Sequence, residues 1–262
     1  MMKLQSFNAR VDPSLQLSFR EEEDLKDLVS YLAQEPEYSC DVAPGAYSLL
    51  DRIVTAWPPI YIYPAVDLLR ILILWLEASL RYSSPPGINI IHGLLDIAMH
   101  GYTDKETGEK LSCPTALRLM VLRLVNNMFA TDESYKAVLS PTMGPIVIQL
   151  AVDYIACADL ETTKACATIL FNASSKLGHV GRTMPDCVGQ CVGALIYTIP
   201  LTENMDAVFR LLMALGRILW HDPIAVELVK LSDFNVDKHL NLDDHAEHVK
   251  LVAHEIAAII AK

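Results

Sequence analysis

The sequence predicts an all-α protein, built as an armadillo- or HEAT-like α-solenoid, and three observations carry that prediction. Apolar residues return at intervals of three and four almost everywhere after Glu22, and no window of useful length shows the alternation of a half-buried strand. Only 11 glycines occur in 262 residues, and 52% of the chain is hydrophobic with Ala and Leu prominent, a mixture that suits packed helices. Related apolar helices also recur at a nearly fixed spacing, the signature of units that cannot bury their faces alone.

Taken in order, residues 1–18 mix Lys3, Arg10 and Asp12 with polar side chains and lack the apolar centre of a secretion signal. They are expected to be an extended or flexible N-terminal extension ahead of one helical domain over residues 19–262. Phe19 to Ala33 carries the acidic run Glu21 to Asp24, favourable beside a helix N-terminus, and Pro36 closes the segment. Ala46 to Ala56 reads as a second helix stopped by Trp57-Pro58-Pro59. The run from Pro64 to Tyr82 has its proline in a permitted first turn and is nearly all apolar, with Asp67, Arg70 and Glu77 among its few charges. A helix apolar all round is buried.

Gly101 to Lys110 (GYTDKETGEK) is polar and Gly-bounded, and is expected to be an exposed loop. Three related helices follow, starting near Ala116, Ala165 and Val208. Aligning Asn127, Asn172 and Gly216 gives spacings of 45 and 44 residues. Arg123 aligned over Arg70 gives 53, and the excess matches the inserted loop. A period near 44 falls within the roughly 40 to 47 residues of HEAT and armadillo repeats.

Charge and composition exclude several functions. With 21 Lys and Arg against 32 Asp and Glu the net charge is −11, which opposes unselective binding to a phosphate backbone, so no nucleic-acid partner is expected. The charge-free runs Ala137 to Val152 and Cys187 to Thr202 contain Pro and fall short of the about 20 apolar residues of a spanning helix, so no membrane insertion is expected. Six dispersed cysteines read as small buried residues of a reducing compartment, cytoplasmic or nuclear.

A solenoid offers a concave surface lined by one helix per repeat, able to hold an extended peptide. Asn127 and Asn172, at equivalent places, could each give a donor and an acceptor to a peptide backbone. The plainer alternative is that each satisfies a neighbouring helix end. Arg70 and Arg210 lie in the aliphatic runs LLRILIL and VFRLLMAL, where a charge needs a groove, a ligand or a partner. A carboxylate ligand suits the planar guanidinium; an internal pair with Asp67 or Asp206 is the alternative that helix spacing permits.

Four segments, YPAVDLLRILIL (63–74), LRLVNNMF (122–129), ATILFNASS (167–175) and AVFRLLMALGRILWHDPIAVELVK (207–230), resemble the PUL domain, the C-terminal domain of the phospholipase A-two-activating protein and its fungal counterparts. It also occurs fused to thioredoxin or peptidase modules. The resemblance runs from about Phe19 to Ile260 and is most specific in its last segment; GYTDKETGEK and Pro141 to Pro145 do not match the pattern. It implies a crescent of about six short helical repeats, no enzymatic activity and no cofactor. It further implies a basic groove binding the acidic C-terminal tail of valosin-containing protein, the ubiquitin-selective AAA ATPase. The positions carried over are Arg70 and Arg210, followed by Arg123, Asn127 and Asn172. The net acidity does not oppose this, because Arg20 to Glu37 holds seven acids against two bases and steering depends on the local field. A monomer is expected in isolation.

Other constellations are weaker. His179 with Cys187 and Cys191 offers three ligands where a structural zinc site takes four, and His245, His248 and His254 read as solvent-facing, so no metal is expected. Cys113 before Pro114, or Cys187, would be the nucleophile of a cysteine hydrolase, but no histidine in the sequence pairs with Cys113 and the Gly-x-Ser-x-Gly and His-Glu-x-x-His motifs are absent. A general scaffold binding a protein through the apolar stripe Trp57 to Tyr63 is the further alternative; those aromatics could equally plug a core.

Overall fold

The computed structural model describes residues 1–33, 42, 44–157, 159–180, 185–236 and 246–262. They are overwhelmingly helical, and the chain groups into two compact units, Met1–Ser134 and Tyr135–Lys262.

The first unit starts with α1 (Met2–Asn8), which corrects the expectation of an extended N-terminus. Leu4, Val11 and Leu17 are buried, and Phe7 meets Tyr61 at a tilt and Tyr63 edge-on, with ring centroids 5.1 and 5.6 Å apart. Asn8 ties the segment down: its Oδ1 accepts from the Leu17 amide at 2.6 Å and its Nδ2 donates to Glu22 at 2.8 Å. Two turns of helix are too short for a periodic signal. In α2 (Phe19–Leu32) the acidic run acts through a capping box, with Ser18 accepting from the Glu21 amide and the Glu21 carboxylate accepting from the Ser18 amide at 2.8 Å.

Helix α3 (Pro44–Ala56) is followed at once by α4 (Pro59–Leu72). Trp57-Pro58-Pro59 therefore ends one helix and begins the next, with Pro58 as the N-cap and Pro59 in the first turn, where a missing N–H costs no helical bond. Pro64 lies inside α4 rather than at its start. The helix expected from 64 to 82 is also broken: α5 (Leu76–Tyr82) leaves α4 at 119°. Before the bend the Leu74 amide bonds to Ile71 and the Trp75 amide to Leu72, which tightens the last turn. No single helix among the described residues is long and apolar enough to cross a membrane.

After α6 (Gly87–His100) the polar stretch expected to be a loop forms a two-stranded antiparallel hairpin. Strand β1 (Tyr102–Thr103) pairs with β2 (Lys110–Leu111), Tyr102 opposite Leu111 and Thr103 opposite Lys110. Asp104 closes the tip by accepting from the amides of Glu106 and Thr107, both at 2.9 Å. Gly101 enters the hairpin at φ 75°, and a Cβ there would fall 2.1 Å from the Leu111 carbonyl oxygen. Helix α7 (Thr115–Met128) completes the unit by packing on α4, and both bury aliphatic faces, Ile62, Val66 and Leu69 on one and Val121, Leu124 and Val125 on the other.

Helix α8 (Asp132–Val138) carries the chain into the second unit, which holds α9 (Gly144–Ile155), α10 (Leu160–Val180), α11 (Pro185–Thr198), α12 (Met205–His221), α13 (Pro223–Leu231) and α14 (Glu247–Ile260). Two ladders emerge. In one, α10 packs on α12 and α12 on α14; in the other, α9 packs on α11 and α11 on α13. The helices aligned by sequence, α4 with α7 and α10 with α12, are thus neighbours within their units, as repeat stacking requires. Leu211, Leu212, Leu215 and Ile218 of α12 are buried, each contributing about 1.5–3 kcal/mol of apolar burial.

Candidate functional site

In the first unit, the C-terminal turn of α4 brings Arg70 and Asn127 together. The tightened turn takes the Leu74 amide to Ile71, which leaves the Arg70 carbonyl without its usual helical donor. Asn127 on α7 supplies one, its Nδ2 donating to that carbonyl at 2.5 Å. The side chain expected to hold a ligand backbone is thus engaged in closing a helix end. The Arg70 guanidinium pairs with Asp67 at 2.5 Å in a partly exposed i,i+3 contact. Arg123 is half-buried on α7, one turn before Asn127.

In the second unit, Arg210 on α12 is half-buried and reaches α10. Its Nη1 donates to the Thr168 hydroxyl at 3.0 Å and to the Lys164 carbonyl at 3.5 Å. Thr168 donates its own proton to the same carbonyl at 2.8 Å, leaving its oxygen free to accept from Arg210. Neutral groups therefore position this guanidinium without neutralising it, and among the described residues no carboxylate pairs with it, Asp206 included. Asn172 lies half-buried on α10, one turn beyond Thr168.

Two residues that sequence reasoning did not single out share this face of α12. Arg217 follows Arg210 by two turns and places its guanidinium 5.9 Å from the Phe171 ring centroid of α10. Trp220, one turn further, is 71% exposed. Around the helix Arg217 lies about 20° and Trp220 about 80° from Arg210, and for Arg217 that signal is legible in VFRLLMALGRILW. Beside them a cavity of about 360 Å³ opens between α12 and α14, walled by Met213, Trp220, Val252 and Ile256. Gly216 forms part of its floor, its missing Cβ position 3.5 Å from Ile256.

The other candidate residues have packing roles. Trp57 is buried and donates to the Leu15 carbonyl at 3.0 Å, and Tyr61 and Tyr63 meet Phe7, so this stripe plugs the first unit. Cys113 is buried; burial pushes its thiol up to about 11 even with Arg118 beside it, and no histidine contacts it among the described residues. Cys187 is also buried, and burial pushes its neighbour Cys191 up to about 12. No cluster of three His, Cys, Asp or Glu side chains among the described residues is arranged to hold a metal. His248 meets Phe209 edge-on at 4.8 Å, His254 is exposed, and the side chains of His179 and His245 lie outside the described residues.

Stacked, register-repeated helices with a basic and aromatic face define a helical-repeat protein of the armadillo class. The model of the PUL domain matches residues 1–241, and the chain belongs to that family. The match includes the first 18 residues, in keeping with the docking of α1. Similar solved structures include designed proteins. Two engineered proteins superpose with TM-scores of 0.63 and 0.60 at 15% and 14% identity, each over 92% of this chain and over 91% and 90% of their own. A designed armadillo repeat protein superposes with a TM-score of 0.58 at 13% identity over 81% of each chain. These likenesses carry the fold, and the family membership supports a protein-binding adaptor role.

Proposed function

We propose that the chain recruits valosin-containing protein by its acidic C-terminal tail, in the cytoplasm or nucleus, as a monomeric adaptor with no catalytic step. The observation that carries this reading is Arg210, a half-buried cation positioned by Thr168 and Lys164 and left without an acid among the described residues. A ligand carboxylate completes it with charge-assisted hydrogen bonds of about 1.5–3 kcal/mol. Arg217 adds positive charge on the same face and Asn172 contributes from α10; in the first unit, taken by itself, Arg70 and Arg123 are the candidate contacts, with Asn127 bracing the α4 end that carries Arg70. Arg70 contributes less than Arg210, since Asp67 already screens its charge.

Fluorescence anisotropy of a labelled peptide copying the valosin-containing protein C-terminus tests this at two salt concentrations. Wild-type binding should weaken with salt, and Arg210→Ala should raise Kd by roughly tenfold to 100-fold, Arg70→Ala by less. No wild-type binding, or an unchanged Kd in folded Arg210→Ala, refutes the reading. A general scaffold role is favoured by a different observation, the exposed stripe Ile224, Leu228 and Leu231 on α13, at 72%, 41% and 84%. If it governs, Leu231→Asp abolishes partner capture while tail binding is absent.

A further inference from the structure

We propose that the cavity between α12 and α14 seats the C-terminal residue of the bound peptide, its apolar side chain against Trp220 and its terminal carboxylate on Arg217. This deepens the peptide-binding reading and rests on it. Four features of the second unit converge here. Arg217 lies over the Phe171 ring and has no ion pair among the described residues, so its planar donors remain available to a carboxylate. Trp220 is 71% exposed at the cavity's edge, a large aromatic surface mostly open to solvent, of the kind that anchors a ligand side chain. Gly216 keeps the floor open, since a longer side chain there would grow into the space beside Ile256. The volume, about 360 Å³, holds one large side chain rather than a folded segment.

Glu255 sets the specificity. It lines the same cavity as Arg217 and has no ion pair among the described residues, so it opposes any carboxylate there; Arg217 offsets that for the terminal carboxylate alone, and the rest of the space is left to an apolar side chain. The helix fixes the register as well. Arg210 and Arg217 are seven residues apart, about 10 Å along α12, which is the span of about three extended residues. The ligand is therefore a peptide with an acidic side chain about three positions before an apolar C-terminal residue that bears a free carboxylate.

The test uses the labelled peptide Gly-Gly-Asp-Gly-Gly-Leu as free acid and as C-terminal amide, beside the valosin-containing protein tail as acid and amide. Binding is read by anisotropy on wild type, Arg217→Gln, Trp220→Ala and Gly216→Leu, each checked for folding by thermal melting. On wild type the free acid should bind roughly tenfold more tightly than the amide, and Arg217→Gln should bring that ratio to about one. Gly216→Leu and the exposed Trp220→Ala should weaken both forms; the second remains informative if the first unfolds. Equal affinity of acid and amide for wild type, for whichever peptide binds, overturns the proposal. When the valosin-containing protein tail binds through Arg210 but tolerates amidation, the proposal falls and the partner reading stands. When only the leucine-terminated peptide binds, with carboxylate dependence lost in Arg217→Gln, the partner reading falls and the cavity assignment stands. Failure of both peptides to bind wild type overturns both.

Discussion

Replacing Asn127 by Ala separates a helix-closing role from a ligand-holding one. The last carbonyls of α4 lack helical donors, and at Arg70 the shortfall is met by the Asn127 carboxamide at 2.5 Å. Removing it strands a carbonyl at a half-buried place, where water recovers part of the loss, so the cost is about 1–2 kcal/mol, below the upper end for a buried acceptor. In a unit of 134 residues that lowers Tm by roughly 3–10 °C. Arg70→Ala removes only a partly exposed i,i+3 pair with Asp67, worth about 0–1 kcal/mol, so it should melt nearer to wild type than Asn127→Ala. Asn127→Asp keeps the shape but loses the donor, and should be at least as destabilising as Asn127→Ala. Circular dichroism melting with urea titration reads all three. If Asn127→Ala melts with wild type while its affinity for the tail peptide falls, the helix-closing assignment is wrong and Asn127 holds ligand.

Gly101→Ala should destabilise by more than about 2 kcal/mol in urea titration, because φ 75° and the Leu111 carbonyl oppose any side chain; a wild-type midpoint would show that the hairpin is not fixed. Asp222 caps α13 by accepting from the amides of Ile224 and Ala225 at 2.9 and 3.4 Å, so Asp222→Ala should cost about 1 kcal/mol, and Asp222→Asn much less. In iodoacetamide mapping at pH 8, half-buried Cys157 should react well before buried Cys113 and Cys191. Burial pushes those two thiols up to about 11 and 12, and pushes the phenols of Tyr47 and Tyr82 upward as well, Tyr82 also through its bond to Asp51. The folded state keeps these protons while the unfolded state sheds them, so stability is full below about pH 9 and falls as pH rises above it. Equal urea midpoints at pH 8 and 10.5 would contradict this.

The repeat was legible because α4, α7, α10 and α12 bury their aliphatic residues in the same register, and burial is what hydrophobic periodicity reports. Chain direction was not. Ile71 to Leu76 is apolar on both sides of the 119° bend, so composition carries no sign of it; the hydrogen bonds that tighten the turn do. Pro58-Pro59 was ambiguous for a related reason, since the residues that stop one helix also suit the first turn of the next. At the candidate site the arginines were visible as charges in aliphatic runs, but their partners were not. Sequence spacing allowed an acid for each, and the structure gives one to Arg70 and a threonine to Arg210. Trp220 escaped notice because a tryptophan within VFRLLMALGRILW reads as core until its exposure is known.

The hairpin after α6 explains how a stack of helices tolerates extra sequence. Its strands pair with each other, its tip is closed by Asp104, and residues 105–111 stand in solvent. Because the backbone of the excursion satisfies itself, its length is uncoupled from the spacing of the helices on either side. That makes positions 105–109 a port for grafting: a fluorophore, an epitope or a second recognition loop placed there would travel with the domain without shifting α6 or α7 by a turn.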